Sequence, residues 1–234
     1  MRKTLCLDLI FPRRCTICDD ILSFGKQEIC PKCQKRIFYL NQHTCFKCGK
    51  PVKETEEYCY DCQHKKHWFL QGAALFPYEL VRQSLYRYKY ASRQEYAKFY
   101  GKQMAICFRG KKELWRPDAL VPVPLHKKKQ KRRGYNQAAL LANEISKYWN
   151  VPVMEDLVVR TKNTRPMKEI DGAERQNNLK KAFKIGRNDV KLNTIIVIDD
   201  IYTTGSTIDA IAKVCQEAGI QNVYFLTVSI GNGL

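Results

Sequence analysis

The chain has 234 residues, enough for one medium domain and a small one, and 44% of them are hydrophobic, so it can form a core. No apolar run approaches the ~20 residues of a membrane-spanning helix, and no low-complexity tract points to disorder. The net charge is +18, from 41 basic and 23 acidic residues. This excess predicts a polyanionic partner, and nucleic acid fits it best. The alternative is a basic surface that serves solubility alone.

Eight of the eleven cysteines form four C-x-x-C pairs within the first 62 residues. Each pair can present two thiolates to one tetrahedral ion, and two pairs complete a four-cysteine site, so the spacing predicts two structural zinc ions. A sequential pairing is the simplest, and a crossed pairing stays open. The two sets of the sequential pairing are Cys15, Cys18, Cys30 and Cys33, and Cys45, Cys48, Cys59 and Cys62.

Two other uses of paired cysteines fit the sequence less well. A disulfide framework needs an oxidising compartment, which nothing else here indicates, and a redox C-x-x-C normally occurs once, on an α/β scaffold. Since eight thiolates fill two sites, we expect the nearby His43, His64 and His67 at the surface. The cysteines without metal spacing are expected to be small buried side chains; they are Cys6, Cys107 and Cys215.

The composition changes after Cys62, where a polar connector leads to a new apolar segment at Trp68. We therefore predict a zinc-binding domain over residues 1–67 and a second domain over residues 68–234. The second domain begins with a predicted strand at residues 72–76, ended by a proline.

One or two amphipathic helices are predicted over residues 79–108, and residues 85–90 within them alternate aromatic and basic side chains. Aromatic faces for stacking, beside cations for phosphates, suit single-stranded nucleic acid. The alternative is structural: Tyr86 and Tyr90, four residues apart, pack on one helix face while the basic side chains extend over apolar surface.

A basic run follows a predicted strand and rigid turn at residues 118–125, where Pro122 and Pro124 rule out a regular ladder. Residues 126–133 contain six cations in eight positions, and we expect their mutual repulsion to keep the run mobile until a polyanion binds. The side chains that we assign to nucleic acid are Lys127, Lys128, Lys129 and Lys131.

A helix is predicted to follow the basic run, with Asn136 as its N-cap and an end near Tyr148. Residues 160–181 then carry many cations and few apolar anchors, which predicts a long functional loop ending in a short helix. Such a basic loop could close over a pyrophosphate and exclude water.

The apolar residues 195–198 predict a central strand covered on both faces, followed directly by Asp199 and Asp200. Open α/β sheets bind ligands where such strands end. The next turn offers hydroxyls and backbone N–H groups at a helix N-terminus, which favours a phosphate; its residues are Thr203, Thr204, Gly205, Ser206 and Thr207. Two carboxylates beside this turn suit the hydroxyls of a sugar phosphate, and the alternative is a buried strand with a capped helix and no ligand.

The chain ends with a predicted helix over residues 207–218, stopped by Gly219, and a strand over residues 222–229. Strands therefore alternate with helices from residue 118 onward. This alternation predicts an α/β fold with a mostly parallel sheet.

Residues 195–207 resemble the phosphoribosyl pyrophosphate (PRPP) signature of the type I phosphoribosyltransferases. The resemblance implies that Asp199 and Asp200 hold the ribose as its bond to pyrophosphate breaks, and that main-chain N–H groups of residues 203–207 hold the 5′-phosphate. Together with Mg²⁺, basic side chains would balance the charge of the pyrophosphate; we assign this role to Lys89, Arg132, Arg133 and Arg175.

Nearly the whole chain resembles the ComF/ComFC (GntX-like) family. Besides the four cysteine pairs and the 199–207 signature, the matching segments are 11–18, 88–90, 121–125, 133–137, 174–179 and 182–183. One departure is Met167, where family members usually carry glutamine. The resemblance implies a double zinc ribbon followed by a type I phosphoribosyltransferase-like domain. It also implies a cytoplasmic role in natural transformation, handling incoming single-stranded DNA alongside a DNA-translocating helicase.

Three hypotheses about function follow. The first is a DNA-uptake factor that binds single strands and keeps a PRPP pocket. The second is an active phosphoribosyltransferase that transfers ribose 5-phosphate from PRPP to an acceptor that no residue set identifies. The third is an adaptor whose zinc ribbon docks a protein partner, and it is compatible with either of the others.

Overall fold

The computed structural model describes residues 12–23, 27–40, 43–161, 182–186 and 191–231. The predicted loop at 160–181 therefore lies almost wholly outside the described residues, as do Cys6, Met167 and Arg175. None of the helices within these ranges combines the length and apolar character needed to cross a membrane.

The helices and strands of the described residues alternate through the second half of the chain, as predicted. The helices are α1 (Pro31–Arg36), α2 (Tyr60–His64), α3 (Tyr78–Tyr90), α4 (Tyr96–Cys107), α5 (Arg109–Trp115), α6 (Lys127–Arg133), α7 (Gln137–Trp149) and α8 (Ser206–Glu217). The strands are β1 (Gly72–Pro77), β2 (Ala119–Pro122), β3 (Val158–Arg160), β4 (Phe183–Ile185), β5 (Thr194–Tyr202) and β6 (Asn222–Ile230).

The main sheet is parallel and has the strand order β1-β6-β5-β2. β5 lies between β6 and β2, with Ile195 opposite both Val223 and Ala119. Its residues 195–198 are fully buried, so the prediction of a central strand is confirmed. β3 and β4 form a separate antiparallel pair that flanks the predicted basic loop.

Each face of the sheet contributes to a different core because side chains alternate along a strand. Ile195 and Val197 pack in one core with α8 and with three cysteines of the second set. Ile196 and Ile198 pack in the other core with α3, α4 and α7. The second zinc ribbon therefore covers part of a sheet face that a helix would otherwise cover.

The first cysteine set packs in a small cluster of its own, around Leu22. It docks on the outside of α3 and α4: Ser84 donates to the Thr16 carbonyl, and Arg93 forms an ion pair with Asp19 at 3.0 Å. The predicted short helix after Cys30 is α1, with proline in its first turn.

Three expectations about individual segments are wrong. The basic run forms a helix, α6, instead of an irregular segment. The cations in its last turn interact favourably with the helix dipole. Gly134 caps this end of the helix in the left-handed conformation. His67 is buried rather than at the surface, because its ring stacks on Phe69 and meets a carboxylate. Cys107 is exposed at the end of α4, whereas Cys215 is buried as expected.

Candidate functional site

Both cysteine sets have the geometry of a tetrahedral thiolate site. In each set the four sulfur atoms lie within 4.8 Å of one another, in the sequential pairing and not the crossed one. The Sγ atoms of Cys18 and Cys30 are 3.8 Å apart, and those of Cys48 and Cys59 are 3.6 Å apart. A tetrahedral ion with Zn–S bonds of about 2.3 Å needs sulfur atoms about 3.8 Å apart, so both sets fit structural zinc.

The carboxyl end of β5 leads into the phosphate loop, which we define as residues 203–207. Asp199 and the loop line a pocket with about 220 Å³ of open space, which continues to Ile208 in α8. Gly205 precedes the helix with φ +76°, a left-handed conformation that favours glycine. A Cβ atom there would lie 2.6 Å from the hydroxyl of Tyr202, so the loop rests directly on that ring.

Residues 206–208 of the first turn of α8 line this pocket, and the N–H groups of a helix's first turn have no partner within the helix. The hydroxyls of Thr204 and Ser206 lie 3.0 Å apart beside them. N–H groups, hydroxyls and the positive end of the helix dipole together form a site suited to a phosphate.

The two carboxylates of β5 have different surroundings. Asp200 is buried with 3% exposure and forms an ion pair with Lys89 near the end of α3. Asp199 is partly exposed at the pocket, and its Oδ1 accepts from the backbone N–H of Asp200 at 2.8 Å. Asp199 is therefore the carboxylate that a ligand in the pocket can reach.

Desolvation disfavours charge on both sides of the site. Burial raises the pKa of Asp199 to about 6, although Lys89, Arg160 and Arg133 act in the opposite direction. Burial also lowers the pKa of Lys89 to about 8, against the attraction of Asp199 and with the repulsion of Arg133 and Lys129. Four cations thus surround two carboxylates, which leaves an excess of positive charge for an anionic ligand.

The predicted site residues did not include Arg160, and Lys129 differs in its surroundings from the other lysines of the basic run. Arg160 ends β3, and Asp199 partly offsets the fall in its pKa that burial causes. Burial lowers the pKa of Lys129, and the neighbouring Arg160, Arg133 and Arg132 lower it further, so Lys129 is partly buried among cations whereas Lys127, Lys128 and Lys131 are exposed. The sequence signal available for Arg160 was its place at the start of the predicted basic loop at residues 160–181.

The other predicted basic residues divide into two groups. Lys89 and Arg133 are close enough to lower the pKa of Asp199, while four cations of α6 are exposed; these are Lys127, Lys128, Lys131 and Arg132. Arg175 lies outside the described residues. Arg132 is exposed like the three lysines, and its predicted role at the pyrophosphate stays a prediction.

An aromatic surface adjoins the exposed cations. The rings of Tyr86 and Tyr90 lie 5.1 Å apart on one face of α3, as the structural alternative predicts, yet both are exposed, at 65% and 58%. The Arg133 guanidinium lies 5.2 Å from the centre of the Tyr90 ring. This cation–π contact joins α3 to the end of α6 and makes the two helices one surface.

Comparison with known proteins agrees with the zinc geometry. Residues 6–63 match the model of the family described as "Double zinc ribbon domain". This span contains all eight paired cysteines.

Relatives with similar sequences cover nearly the whole chain. Competence protein F of Haemophilus influenzae is 29% identical over 91% of this chain and 95% of its own length. The DNA utilization protein YhgH of Escherichia coli K12 is 28% identical over 90% of this chain and 94% of its own. The chain is a homologue of the ComF/ComFC proteins. Competence protein ComFC of Bacillus subtilis 168, 26% identical, covers 82% of this chain and 80% of its own, and the predicted resemblance is confirmed.

Similar solved structures include two phosphoribosyltransferases. A purine phosphoribosyltransferase from Pyrococcus horikoshii has a TM-score of 0.34 and 10% identity, covering 57% of this chain and 83% of its own. An adenine phosphoribosyltransferase from Leishmania tarentolae has a TM-score of 0.34 and 14% identity, covering 59% of this chain and 71% of its own. The predicted fold class, a mostly parallel α/β sheet with an N-terminal four-cysteine zinc ribbon, is confirmed.

Proposed function

We propose that this protein is a DNA-uptake factor of natural transformation that binds PRPP with Mg²⁺ in the β5–α8 pocket and single-stranded DNA on the surface of α3 and α6. It would act in the cytoplasm, alongside a DNA-translocating helicase. The observation that carries the proposal is the meeting of Asp199, the phosphate loop and four cations at the end of a central strand, in a homologue of competence proteins.

Each part of PRPP has a complementary group in this pocket. The phosphate loop binds the 5′-phosphate through backbone N–H groups, and the carboxylate of Asp199 accepts hydrogen bonds from the ribose hydroxyls. Lys89, Arg133 and Arg160 offset the charge of the pyrophosphate, and Mg²⁺ supplies further positive charge when it is bound. Asp200 holds Lys89 in position through their ion pair.

Titration of the protein with PRPP in the presence of Mg²⁺, followed by calorimetry, tests the pocket. We expect saturable binding that the double variant Asp199→Asn with Asp200→Asn abolishes, since the charged acceptor for the ribose hydroxyls and the ionic partner of Lys89 are both lost. Glu113→Gln removes an exposed carboxylate of α5 and is the matched control. If the unmutated protein does not bind PRPP, the pocket does not have this function.

The nucleic-acid surface combines two complementary features. The exposed rings of Tyr86 and Tyr90 offer faces on which bases can stack, and the exposed cations of α6 can meet the phosphates. Because Arg133 contacts Tyr90, both features lie along one continuous path.

The salt dependence of single-stranded DNA binding tests this surface. A variant with glutamine at Lys127, Lys128, Lys131 and Arg132 keeps Lys129 and Arg133, so the pocket is left intact. We expect the slope of log K against log salt to become shallower by about 2 to 3, because up to four phosphate contacts are lost. The control variant carries glutamine at four other exposed lysines, which are Lys53, Lys98, Lys147 and Lys191. Equal slopes in the two variants would remove α6 from the DNA site.

A further inference from the structure

The connector between the second zinc ribbon and the sheet, residues 65–67, converges on a single carboxylate in the first turn of α8. Lys65 Nζ donates to Asp209 Oδ2 at 2.8 Å, and His67 Nδ1 lies 2.9 Å from the same oxygen. The backbone N–H of Trp68 donates to Asp209 Oδ1 at 3.0 Å. Both His67 and Asp209 are buried, so these bonds are protected from water.

The same connector also contacts the phosphate loop directly. Lys65 Nζ lies 3.3 Å from the carbonyl oxygen of Thr204, so a single ammonium group joins the loop to the first turn of α8. Burial would raise the pKa of Asp209, but its hydrogen bonds with His67 and Lys65 hold that pKa below its usual range. The connector therefore meets an ionised carboxylate four residues after Gly205.

A second line of contacts runs from the second cysteine set to the loop. Cys48 and Cys59 share a core with Phe69 and Tyr202. The Tyr202 ring stacks on Phe225 at 4.7 Å, and Phe69 packs edge-on against Tyr202. The hydroxyl of Tyr202 is the group on which Gly205 rests. The second cysteine set thus lies beneath the phosphate loop, with one aromatic layer between them.

The first cysteine set does not lie beneath the phosphate loop. Its described contacts run to α3, to α4 and to the segment between them, through Ser84, Tyr96 and Arg93. The two zinc ribbons are therefore attached to different parts of the molecule, and the first serves as an internal control for the second.

We propose that Lys65 and His67 are positioning residues, through which the second zinc ribbon holds the phosphate loop and the first turn of α8 in the conformation that binds a ribose 5′-phosphate. As far as the ligand is concerned, this inference rests on the proposed function. Since thermodynamic coupling is reciprocal, PRPP bound at the loop then tightens zinc in the second set and leaves the first set unchanged.

The decisive variants remove the two contacts without touching a cysteine. Lys65→Met with His67→Phe keeps the stem over the surface and the ring on Phe69, but loses both hydrogen bonds to Asp209. Lys65→Arg with His67→Asn keeps a cation and a donor at the place of Nδ1, and is the rescue variant. Zinc analysis must give the same content in all three proteins, because neither residue is a ligand.

Hydrogen exchange of residues 205–212 in the full, zinc-loaded chain tests the positioning without any ligand. We expect exchange to be at least about tenfold faster in the Met/Phe variant, since charged hydrogen bonds to a buried carboxylate are lost. The rescue variant restores it, and residues 27–37 of the first ribbon exchange as before. Unchanged exchange over residues 205–212 overturns the proposal.

PRPP affinity and zinc release form the second arm. The Met/Phe variant should bind PRPP at least about tenfold more weakly, and saturating PRPP should slow the removal of one of the two zinc ions by a chelator. Equal PRPP affinity despite faster exchange overturns the positioning role. If the unmutated protein does not bind PRPP, the proposed function fails, and the exchange measurement still decides whether the connector holds the loop.

Discussion

Asp199 and Lys89 are both held where their charged forms are disfavoured. Burial raises the pKa of Asp199 to about 6 and lowers that of Lys89 to about 8, and their mutual attraction only partly offsets this. Groups with opposing shifts at the end of a strand are typical of ligand sites, where the folded state gives up stability for binding.

Replacing Asp199 by asparagine should therefore stabilise the protein at pH 7.5, by on the order of 1 kcal/mol given its partial exposure. The folded-state pKa lies above the unfolded value, so the folded protein takes up this proton first. The penalty therefore begins to fall as the pH drops through about 6, is smaller at pH 5, and is gone only below the unfolded pKa. Denaturant unfolding at pH 7.5 and pH 5 measures the difference. The exposed Asp156→Asn is the control, and a difference that does not shrink at pH 5 contradicts the assignment.

Single residues show where the sequence is sufficient and where it is not. The N-cap role of Asn136 is predictable because it depends on its neighbours alone, and its side chain accepts from the Ala138 N–H. The burial of His67 is not predictable from the local sequence, since it depends on Asp209, which lies 142 positions later in the chain. Arg160 likewise gains its role from Asp199, which no local pattern connects to it.

At the scale of the elements, the β5–α8 turn depends on one glycine. Gly205→Ala introduces both a strained φ and a Cβ atom 2.6 Å from the Tyr202 hydroxyl. We expect a loss of stability of about 2 kcal/mol or more, and weaker PRPP binding because the loop must shift. Thermal unfolding and calorimetry measure the two effects.

Gly219→Ala is the matched control for the turn. Gly219 also has a left-handed φ, of +93°, but nothing lies within 4 Å of the place of its Cβ atom. This variant should lose only the stability that the strained backbone conformation costs, about 1 kcal/mol. Its affinity for PRPP should be unchanged. Equal losses in both variants would show that the Tyr202 contact does not matter.

The elements with strong local signals were predictable. A run of buried isoleucine and valine defines β5, and a proline after a cysteine begins α1. The helix α6 was not predicted, because the mutual repulsion of its cations led us to expect a mobile segment. In the structure His126 caps its beginning and Gly134 caps its end. Its exposed cations point into water, where repulsion is weakened by solvent and salt.

At the scale of the whole molecule, the two zinc sites should contribute unequally to stability. Metal analysis should give about two zinc ions per chain, and Cys30→Ser and Cys59→Ser should each leave about one. Cys59→Ser should lower the melting temperature more, because its site packs in the core that includes β5. Equal melting temperatures in the two variants would contradict this difference.

The sheet face beneath the phosphate loop has a consequence for how the chain can be divided. Residue 68 marks a change of composition, yet Phe69, Tyr202 and Phe225 are covered by the cysteine-bearing turns that precede it. A fragment that begins at residue 68 would expose this aromatic layer to water and invite self-association. We therefore expect the ribbon and the sheet to be stable only when they are expressed as a single unit.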